Sequence, residues 1–408
     1  MHSGKEAVER VFRQEYGRLI ASLARRFGDI DMAEEAASEA LVIALEKWPE
    51  SGVPANPGGW LTTTATHRAI DRIRRENQRE AKHRAALTSH DETPHDETPH
   101  GHVGPVEDDR LRLLFTCCHP ALAPAARIAL TLRLIGGLSV AEIARAFLVP
   151  ETTMAQRITR AKKKIAAAKV PYRVPEHTDL PDRLGGVLAV LFLVFNEGYL
   201  ATGDGEPTRA ELTGEAIRLA RILRQLLPEE PEVAGLLGLL LLTEARRSAR
   251  VRNGQLVPLG EQDRTSWDRD LIDEGHDLVR GCIAINRPGR YQILAAINAV
   301  HTDAPTSSNT DWSQVVALYD QLTRLDPSPI VALNRAVAIA EVDGPMVALA
   351  LLDRLPLQGY HAWHATRADL LRRLGRSAEA HDEYQAAISA TQNCAERAYL
   401  NIKRGELP

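Results

Sequence analysis

The chain has 408 residues, which is too long for one ordinary hydrophobic core, so about two to four domains are expected. Its hydrophobic fraction of 44% and charged fraction of 25% are typical of globular proteins and argue against a disordered or fibrous chain. The longest apolar runs, at 187–195 and 233–242, are well short of the about 20 residues that cross a bilayer, so no membrane partner is predicted.

The cysteines and the N-terminal segment indicate the compartment. The four cysteines are Cys117, Cys118, Cys282 and Cys394, and only the first two are near each other in the sequence. Adjacent cysteines rarely form a disulfide, which favours a reducing environment. The N-terminal segment MHSGKEAVERVF is charged and has no apolar signal region. We therefore expect a cytoplasmic protein.

Charge is distributed unevenly along the chain. Residues 1–175 hold 26 Lys and Arg against 22 Asp and Glu, although the whole chain has a net charge of −4. Between Glu151 and Glu176 there are seven basic residues and no acidic one. The N-terminal part is therefore basic and the rest of the chain is acidic, which suggests a polyanionic partner for the N-terminal part.

The first part of the chain shows two helical stretches separated by a different kind of segment. Residues 5–84 have helical periodicity, with breaks predicted at Gly28-Asp29 and at 49–59. The pentapeptide HDETP then occurs twice in tandem, in a stretch with no periodic apolar face. Such a segment cannot bury enough surface to become ordered, so 86–109 is predicted to be a disordered linker between domains at 1–85 and 110–172.

Residues 173–408 are predicted to form a further helical domain. Its last third contains an internal repeat with a period of 32 positions, in which small residues stand where two antiparallel helices would cross. The matched sets are Ala336, Ala348, Leu352 and Leu355, then Ala368, Ala380, Tyr384 and Ala387, with a weaker copy at Val315, Tyr319, Leu322 and Pro327. The period is close to that of tetratricopeptide (TPR) repeats, so a TPR-like domain and an all-α fold are predicted.

The segment Ser139–Ile165 has the pattern of a helix-turn-helix. Ser139 and Glu142 have capping-box spacing at the start of a short helix, and Pro150 suits the start of the next one. The inner side of that second helix carries Met154, Ile158, Ala161 and Ile165, and its outer side carries Thr152, Thr153, Gln156, Arg157, Arg160 and Lys164. Such a helix could lie in a major groove, with its polar N-terminal residues on base edges and its basic end on phosphates. The alternative is an ordinary helical hairpin with a solvated basic face.

An acidic helix precedes an Arg-rich amphipathic helix near the N-terminus. The predicted helix Asp31–Trp48 carries Glu34, Glu35 and Glu39 over an apolar stripe. The following segment, Pro57–Asn77, has one apolar side and one polar side, and the polar side ends in arginines. The pair suggests one surface for a protein partner and another for nucleic acid, although each face alone is equally compatible with simple solvation.

Taken in order, these segments resemble the extracytoplasmic-function (ECF) σ factors of bacterial RNA polymerase. DMAEEAASEALVIALEKWP is similar to their region 2.2, which docks on the β′ clamp helices of core polymerase. GWLTTTATHRAIDRIRREN is similar to regions 2.3 and 2.4, which open and read the −10 element. GGLSVAEIARAFLVPETTMAQRITRAKKKI is similar to region 4.2, which reads the −35 element. The expected partners are therefore core RNA polymerase and promoter DNA.

The resemblance assigns a role to each candidate residue. Core-polymerase binding falls to Glu34, Glu35 and Glu39. Candidates near the −10 strand are Trp60, Thr63, His67, Arg68 and Arg75. Candidates at the −35 duplex are Thr152, Thr153, Gln156, Arg157, Arg160 and Lys164.

The resemblance extends to the C-terminal part. LRLLFTCCHPAL (111–122), FNEGY (195–199), QDRTSWDRDLI (262–272) and the terminal repeats look like the subgroup with a TPR-like C-terminal extension, often called ECF42. The resemblance implies that the extension regulates the σ factor. It also implies a YCII-related (DGPF-type) regulatory protein as a partner.

Two other interpretations stay open at this point. One is a helix-turn-helix activator with a TPR-like sensor, which has no need of a polymerase-binding helix. The other is an enzyme in 180–300 with Glu197 as an acid or base. The sequence shows no phosphate-binding loop, catalytic triad or paired catalytic carboxylates, and Cys117-Cys118-His119 has poor spacing for a metal. No enzymatic activity, cofactor or metal is therefore predicted.

Overall fold

The structure is a computed structural model that describes residues 2–87, 109–147, 149–170, 172–175, 179–199, 210–252, 255–391 and 393–408. These residues are almost entirely helical, which confirms the predicted all-α fold. The exception is a small antiparallel hairpin in which Val251–Arg252 pairs with Gln255–Leu256. Among the described helices, none has both the length and the apolar character required to cross a membrane.

The chain divides into two compact units. The first unit comprises residues 1–145 and 149–190, and the second comprises 146–148 and 191–408. The helices of the first part of the chain are α1 (His2–Phe27), α2 (Ile30–Ser51), α3 (Pro57–Leu87), α4 (Asp109–Cys117), α5 (Pro124–Leu134), α6 (Val140–Ala146), α7 (Glu151–Ala167) and α8 (Leu180–Tyr199). The predicted linker at 86–109 lies outside the described residues except at its two ends, which belong to α3 and α4.

The first helix breaks follow local sequence signals. Gly28 ends α1 with a φ of +70°, and the Asp29 side chain caps α2 by accepting from the backbone of Asp31 at 2.7 Å. The second break lies within the predicted range but is narrower, because α2 continues through Pro49 to Ser51 and α3 begins at Pro57. Gly52 caps α2 with a φ of +79°. A proline in the last turn removes only one intrahelical hydrogen bond, so the helix tolerates it there.

The second unit is built around a helix that is buried on all sides. Its helices are α9 (Ala210–Leu226), α10 (Pro231–Glu244), α11 (Arg247–Arg250), α12 (Arg269–Ile285), α13 (Arg290–Asp303), α14 (Trp312–Leu325), α15 (Pro329–Val342), α16 (Pro345–Leu352), α17 (His361–Arg373), α18 (Ser377–Ala390) and α19 (Cys394–Gly405). Helix α10 holds the apolar run 233–242 and packs against α9, α12 and α13. A helix that is apolar all round is expected to be buried, and this one is.

The last third of the chain forms consecutive helical hairpins. Helices α15 and α16 pack together, as do α17 and α18. Ala336 and Ala368 occupy equivalent positions in the first helix of each pair, and both are fully buried. Ala348 and Ala380 are equivalent in the second helices and have 0% exposure. The small residues that define the repeat in the sequence thus lie where the helices approach each other.

A close approach between α10 and α13 gives a test of this packing. A Cβ atom at Gly235 would lie 2.6 Å from the backbone nitrogen of Gln292. Gly235→Ala should therefore lower the free energy of unfolding by about 1–3 kcal/mol, measured by chemical denaturation of the full chain.

The matched control is Gly281→Ala in α12, where an added Cβ meets no atom within 4 Å. This change should raise stability by up to about 1 kcal/mol, since alanine has the higher helix propensity. Equal effects of the two substitutions would contradict the packing described for α10.

Candidate nucleic-acid and polymerase interface

The helix-turn-helix pattern is realised by α6 and α7. The Ser139 backbone nitrogen donates to the Glu142 carboxylate at 2.7 Å, and the Glu142 nitrogen donates to the Ser139 hydroxyl at 3.1 Å. These reciprocal bonds confirm the predicted capping box. Pro150 caps α7, which begins one residue later than predicted, at Glu151. The helix order and the short turn match a helix-turn-helix.

The two sides of α7 differ as the sequence predicts. Its buried residues are Met154, Ile158, Ala161 and Ile165. On the opposite side lie the six predicted −35 residues, of which Arg157 is half-buried and Thr152, Thr153, Gln156, Arg160 and Lys164 are exposed. Among the residues that the structure describes, no carboxylate pairs with the three cations of this side. The surface therefore combines hydrogen-bonding groups near the N-terminus of α7 with uncompensated positive charge further along.

The predicted −10 residues lie along one side of α3. Thr63, His67 and Arg75 are exposed, and Trp60 is half-buried. The Trp60 ring packs edge-on against the buried ring of Trp48, with centroids 5.3 Å apart. That contact fixes the indole at the start of α3 while leaving part of it accessible.

Two of the predicted polymerase-binding carboxylates are exposed on α2 beside α3. Glu35 pairs with Arg72, and the Glu39 carboxylate lies 3.8 Å from the Arg68 guanidinium. The Glu35 and Glu39 side chains are 52% and 44% exposed, so solvent screens both pairs and each stabilises the fold little. Both carboxylates thus remain available to an external partner.

The same surface of α2 also carries an exposed apolar residue, Val42, which was not among the predicted site residues. Val42 lies one turn beyond Glu39 on α2 and is 54% exposed. An exposed valine in the middle of an amphipathic helix is a usable sequence signal, because it falls outside the apolar stripe that faces the core. The α2 surface therefore has an apolar centre beside its carboxylates.

Glu34 is placed differently from its two neighbours. Its side chain is only 13% exposed and is held by Arg133 of α5 and Lys162 of α7. The Lys162 ammonium also donates to Asp31 at 2.7 Å. Burial disfavours the charged form of Lys162, but Glu34 and Asp31 outweigh it and raise the pKa of this ammonium. The structure therefore separates Glu34 from the exposed pair formed by Glu35 and Glu39.

Other contacts accompany this ion-pair cluster between helices α1–α3 and the segment that runs from α4 to Tyr172. We call the cluster and these contacts together the seam. Gly17 of α1 lies against the Ile135 carbonyl, where an added Cβ would come within 2.7 Å of the oxygen. The Tyr172 hydroxyl donates to the Ala21 carbonyl at 2.8 Å. Arg25 pairs with Asp109 at 3.1 Å. The two helical modules are packed closely along the seam.

The thiols of the Cys117-Cys118-His119 segment are part of the core. Both cysteines are at most 2% exposed, and burial raises the pKa of Cys118 to about 11. A protonated thiol is a poor metal ligand, so the predicted packing role fits the geometry. Among the described residues no cluster of His, Cys, Asp and Glu could hold a metal ion.

Comparison with known proteins gives matches along most of the chain. Residues 12–79 match sigma-70 region 2, and residues 112–165 match sigma-70 region 4. Residues 183–283 match a family of unknown function (DUF6596). A protein of Rhizobium meliloti (strain 1021), described as uncharacterized, is 44% identical over 392 residues, which cover 95% of this chain and 93% of that protein. No solved structure matches.

The region 2 match decides against the activator interpretation, since it covers the acidic and Arg-rich helices that an activator does not need. The enzyme interpretation also falls, because σ factors are not enzymes. The chain carries sigma-70 regions 2 and 4 and is a σ factor, which directs RNA polymerase to promoters, with a helical extension C-terminal to its two σ regions.

Proposed function

We propose that this σ factor is of the ECF type and that it acts in the cytoplasm, where core polymerase is found. Its proposed domains are region 2 at 1–85, a linker at 86–109, region 4 at 110–172 and a regulatory domain at 173–408. The two adjacent σ modules and the long helical extension support the ECF42-type assignment. The buried alanines at equivalent positions of successive hairpins support a TPR-like extension. A YCII-related (DGPF-type) partner rests on the resemblance alone.

At the promoter, α7 is proposed to read the −35 element and α3 to hold the −10 strand. The observation that carries this proposal is the outer side of α7, where cations without described partners follow exposed hydrogen-bonding side chains. Thr152, Thr153 and Gln156 would contact base edges, while Arg160 and Lys164 would contact phosphates. On α3, the accessible Trp60 ring offers a stacking surface for an unpaired base.

Run-off transcription with purified core polymerase and no other σ factor tests the function directly. The full chain should start transcription at defined sites on fragments of its own genome. Absence of defined starts, or starts only when a second σ factor is present, would overturn the proposal.

Two substitutions in α7 should have different effects on a promoter found in this way. Gln156→Ala should relax base preference within the −35 element at a cost of about 1–3 kcal/mol in discrimination. Lys164→Ala should weaken binding to all sequences and reduce the slope of log affinity against log salt by about 1. Holoenzyme binding across a salt series measures both effects.

The charge-matched control is Arg280→Ala, an exposed arginine of α12. It should leave both the base preference and the salt slope unchanged. Indistinguishable behaviour of Gln156→Ala and Lys164→Ala would count against the proposed division of roles.

The exposed side of α2 is proposed to bind the β′ clamp helices. Val42 would pack against the partner surface, beside the contacts made by Glu35 and Glu39. The double change Glu35→Lys and Glu39→Lys should weaken core-polymerase binding at least tenfold, because it reverses two charges at one contact. Glu229→Lys, an exposed change in the second unit, is the control. Pull-down or fluorescence anisotropy with core polymerase measures the affinities, and equal affinities for both variants would remove α2 from the interface.

The packing of the seam is proposed to be an inactive, closed state. Glu34 cannot contact polymerase while Arg133 and Lys162 hold it, and Lys162 belongs to the helix proposed to read DNA. Opening the seam would release both surfaces at once. Separation of the modules is also needed if they are to reach promoter elements that lie apart on the duplex.

Gly17→Ala tests this closed state without altering any proposed DNA or polymerase contact. The added methyl would clash with the Ile135 carbonyl and should cost the closed state about 1–3 kcal/mol. We expect core-polymerase affinity to rise by up to about tenfold. Gly214→Ala, a helical site with open space, should leave the affinity unchanged. Unchanged or weaker binding by a normally folded Gly17→Ala chain would contradict the closed state.

A further inference from the structure

The second unit contains a cavity whose size suits a small molecule. It has a volume of about 490 Å³ and lies between the hairpin region and helices α17 and α19. Leu256, Val257 and Leu400 supply apolar walls, and the rings of Tyr199 and Tyr399 also line it. Ligand sites commonly have volumes of about 300–1,000 Å³ and mostly apolar linings with a few polar groups.

A buried arginine, Arg246, lines this cavity. Arg246 is only 8% exposed, and its Nη2 donates to the Asn298 side-chain oxygen at 2.6 Å. Its Nε is buried, and no group of the described residues forms a hydrogen bond with it. Among the residues that the structure describes, no carboxylate lies within ion-pairing distance of this guanidinium. Burying a cation without an opposite charge costs the folded state several kcal/mol, so a bound anion would stabilise this guanidinium.

A second arginine adds positive charge to the same wall. The Arg250 guanidinium lies 4.2 Å from the centre of the Tyr199 ring. Its Nε is also buried and has no hydrogen-bond partner in the part of the chain that the structure describes. Burial lowers the pKa of Arg246, and the charge of Arg250 lowers it further. An anion placed between the two guanidiniums would favour the charged form of Arg246.

Two further groups near Arg246, the side chains of Arg264 and His301, do not neutralise its charge. Arg264 is 9% exposed and donates to the carbonyls of His301 and Ala304, both at 2.5 Å. Burial and the nearby arginines Arg246 and Arg264 lower the pKa of His301 to about 4, so this ring stays neutral at physiological pH. Neither Arg264 nor His301 therefore supplies a negative charge to Arg246 or Arg250.

The carboxylate that does line the cavity already has partners. Glu396 accepts from the Thr391 hydroxyl at 2.7 Å and lies 3.4 Å from His361.

The Gln262 side chain places a second requirement on a ligand of this cavity. Its Nε2 donates to the Val257 carbonyl at 3.1 Å, while its buried Oε1 receives no hydrogen bond from any described residue. A ligand that satisfies Gln262 must supply an O–H or N–H group.

We propose that this cavity is a binding site for a small organic anion, a carboxylate or a phosphate ester, which carries an apolar body and a hydrogen-bond donor. The anionic group pairs with Arg246 and Arg250, the body packs between Tyr199 and the apolar walls, and the donor meets Gln262. The proposal stands on the second unit alone and does not depend on the promoter contacts. In a σ factor such a site would give the C-terminal extension a chemical signal to sense.

Isothermal titration calorimetry on the full chain tests the site with three probes of defined chemistry. The probes are 4-hydroxyphenylacetate, 4-hydroxyphenyl phosphate and the neutral 4-hydroxyphenylacetamide. We expect one molecule of carboxylate or phosphate to bind per chain, and the neutral amide to bind at least tenfold more weakly than the acid. The carboxylate and phosphate arms identify which anion the arginines prefer. Equal binding of acid and amide, or no binding of any probe, would overturn the proposal.

Arg250→Gln should weaken binding of the better anion at least tenfold. The matched control is Arg247→Gln on the same short helix, because Arg247 pairs with Glu244 and does not line the cavity. Its effect should be less than twofold. Arg246→Gln provides a further test if the chain still folds, as judged by circular dichroism. Similar affinities for the Arg250 and Arg247 variants would remove the arginine wall from the ligand site.

Discussion

The burial of one carboxylate constrains the whole first unit. Glu34 is largely withdrawn from water, and a carboxylate in that position needs cations beside it. Its two cations, Arg133 and Lys162, come from helices of region 4, so its charge is compensated across the seam. Buried ion pairs contribute little net stability, because the cost of desolvation offsets their attraction. A closed state held by such pairs has a defined geometry. Because the pairs add little net stability, a competing partner could replace them at a small cost in free energy.

Local signals account for what the sequence predicted well. The capping box of Ser139 and Glu142, the break at Gly28-Asp29 and the buried side of α7 all depend on residues within about four positions of each other. Helix caps and amphipathic spacing are properties of the local chain, so they can be predicted without knowledge of the tertiary packing. The burial of the repeat alanines was predicted in a similar way, since Ala336 and Ala348 each have an equivalent alanine 32 positions later in the sequence.

The remaining features depend on contacts that no local pattern encodes. Arg133 and its partner Glu34 are 99 positions apart, and Arg246 and Asn298 are 52 apart. In the sequence, Glu34, Glu35 and Glu39 are equivalent acidic residues of one helix. Only tertiary packing distinguishes the buried first residue from the two exposed ones. The predicted roles of individual residues at the promoter and on polymerase stay predictions, because they concern surfaces whose partners are outside the chain.

The contact between Trp48 and Trp60 gives the protein an intrinsic optical reporter. The two indoles meet edge to face at the start of α3, and one of them remains partly open to solvent. The other three tryptophans of the chain belong to the second unit. A nucleobase that stacks on the open indole would quench its emission, so strand capture could be followed in real time without attaching a dye. Replacing the other three tryptophans with phenylalanine would isolate that signal.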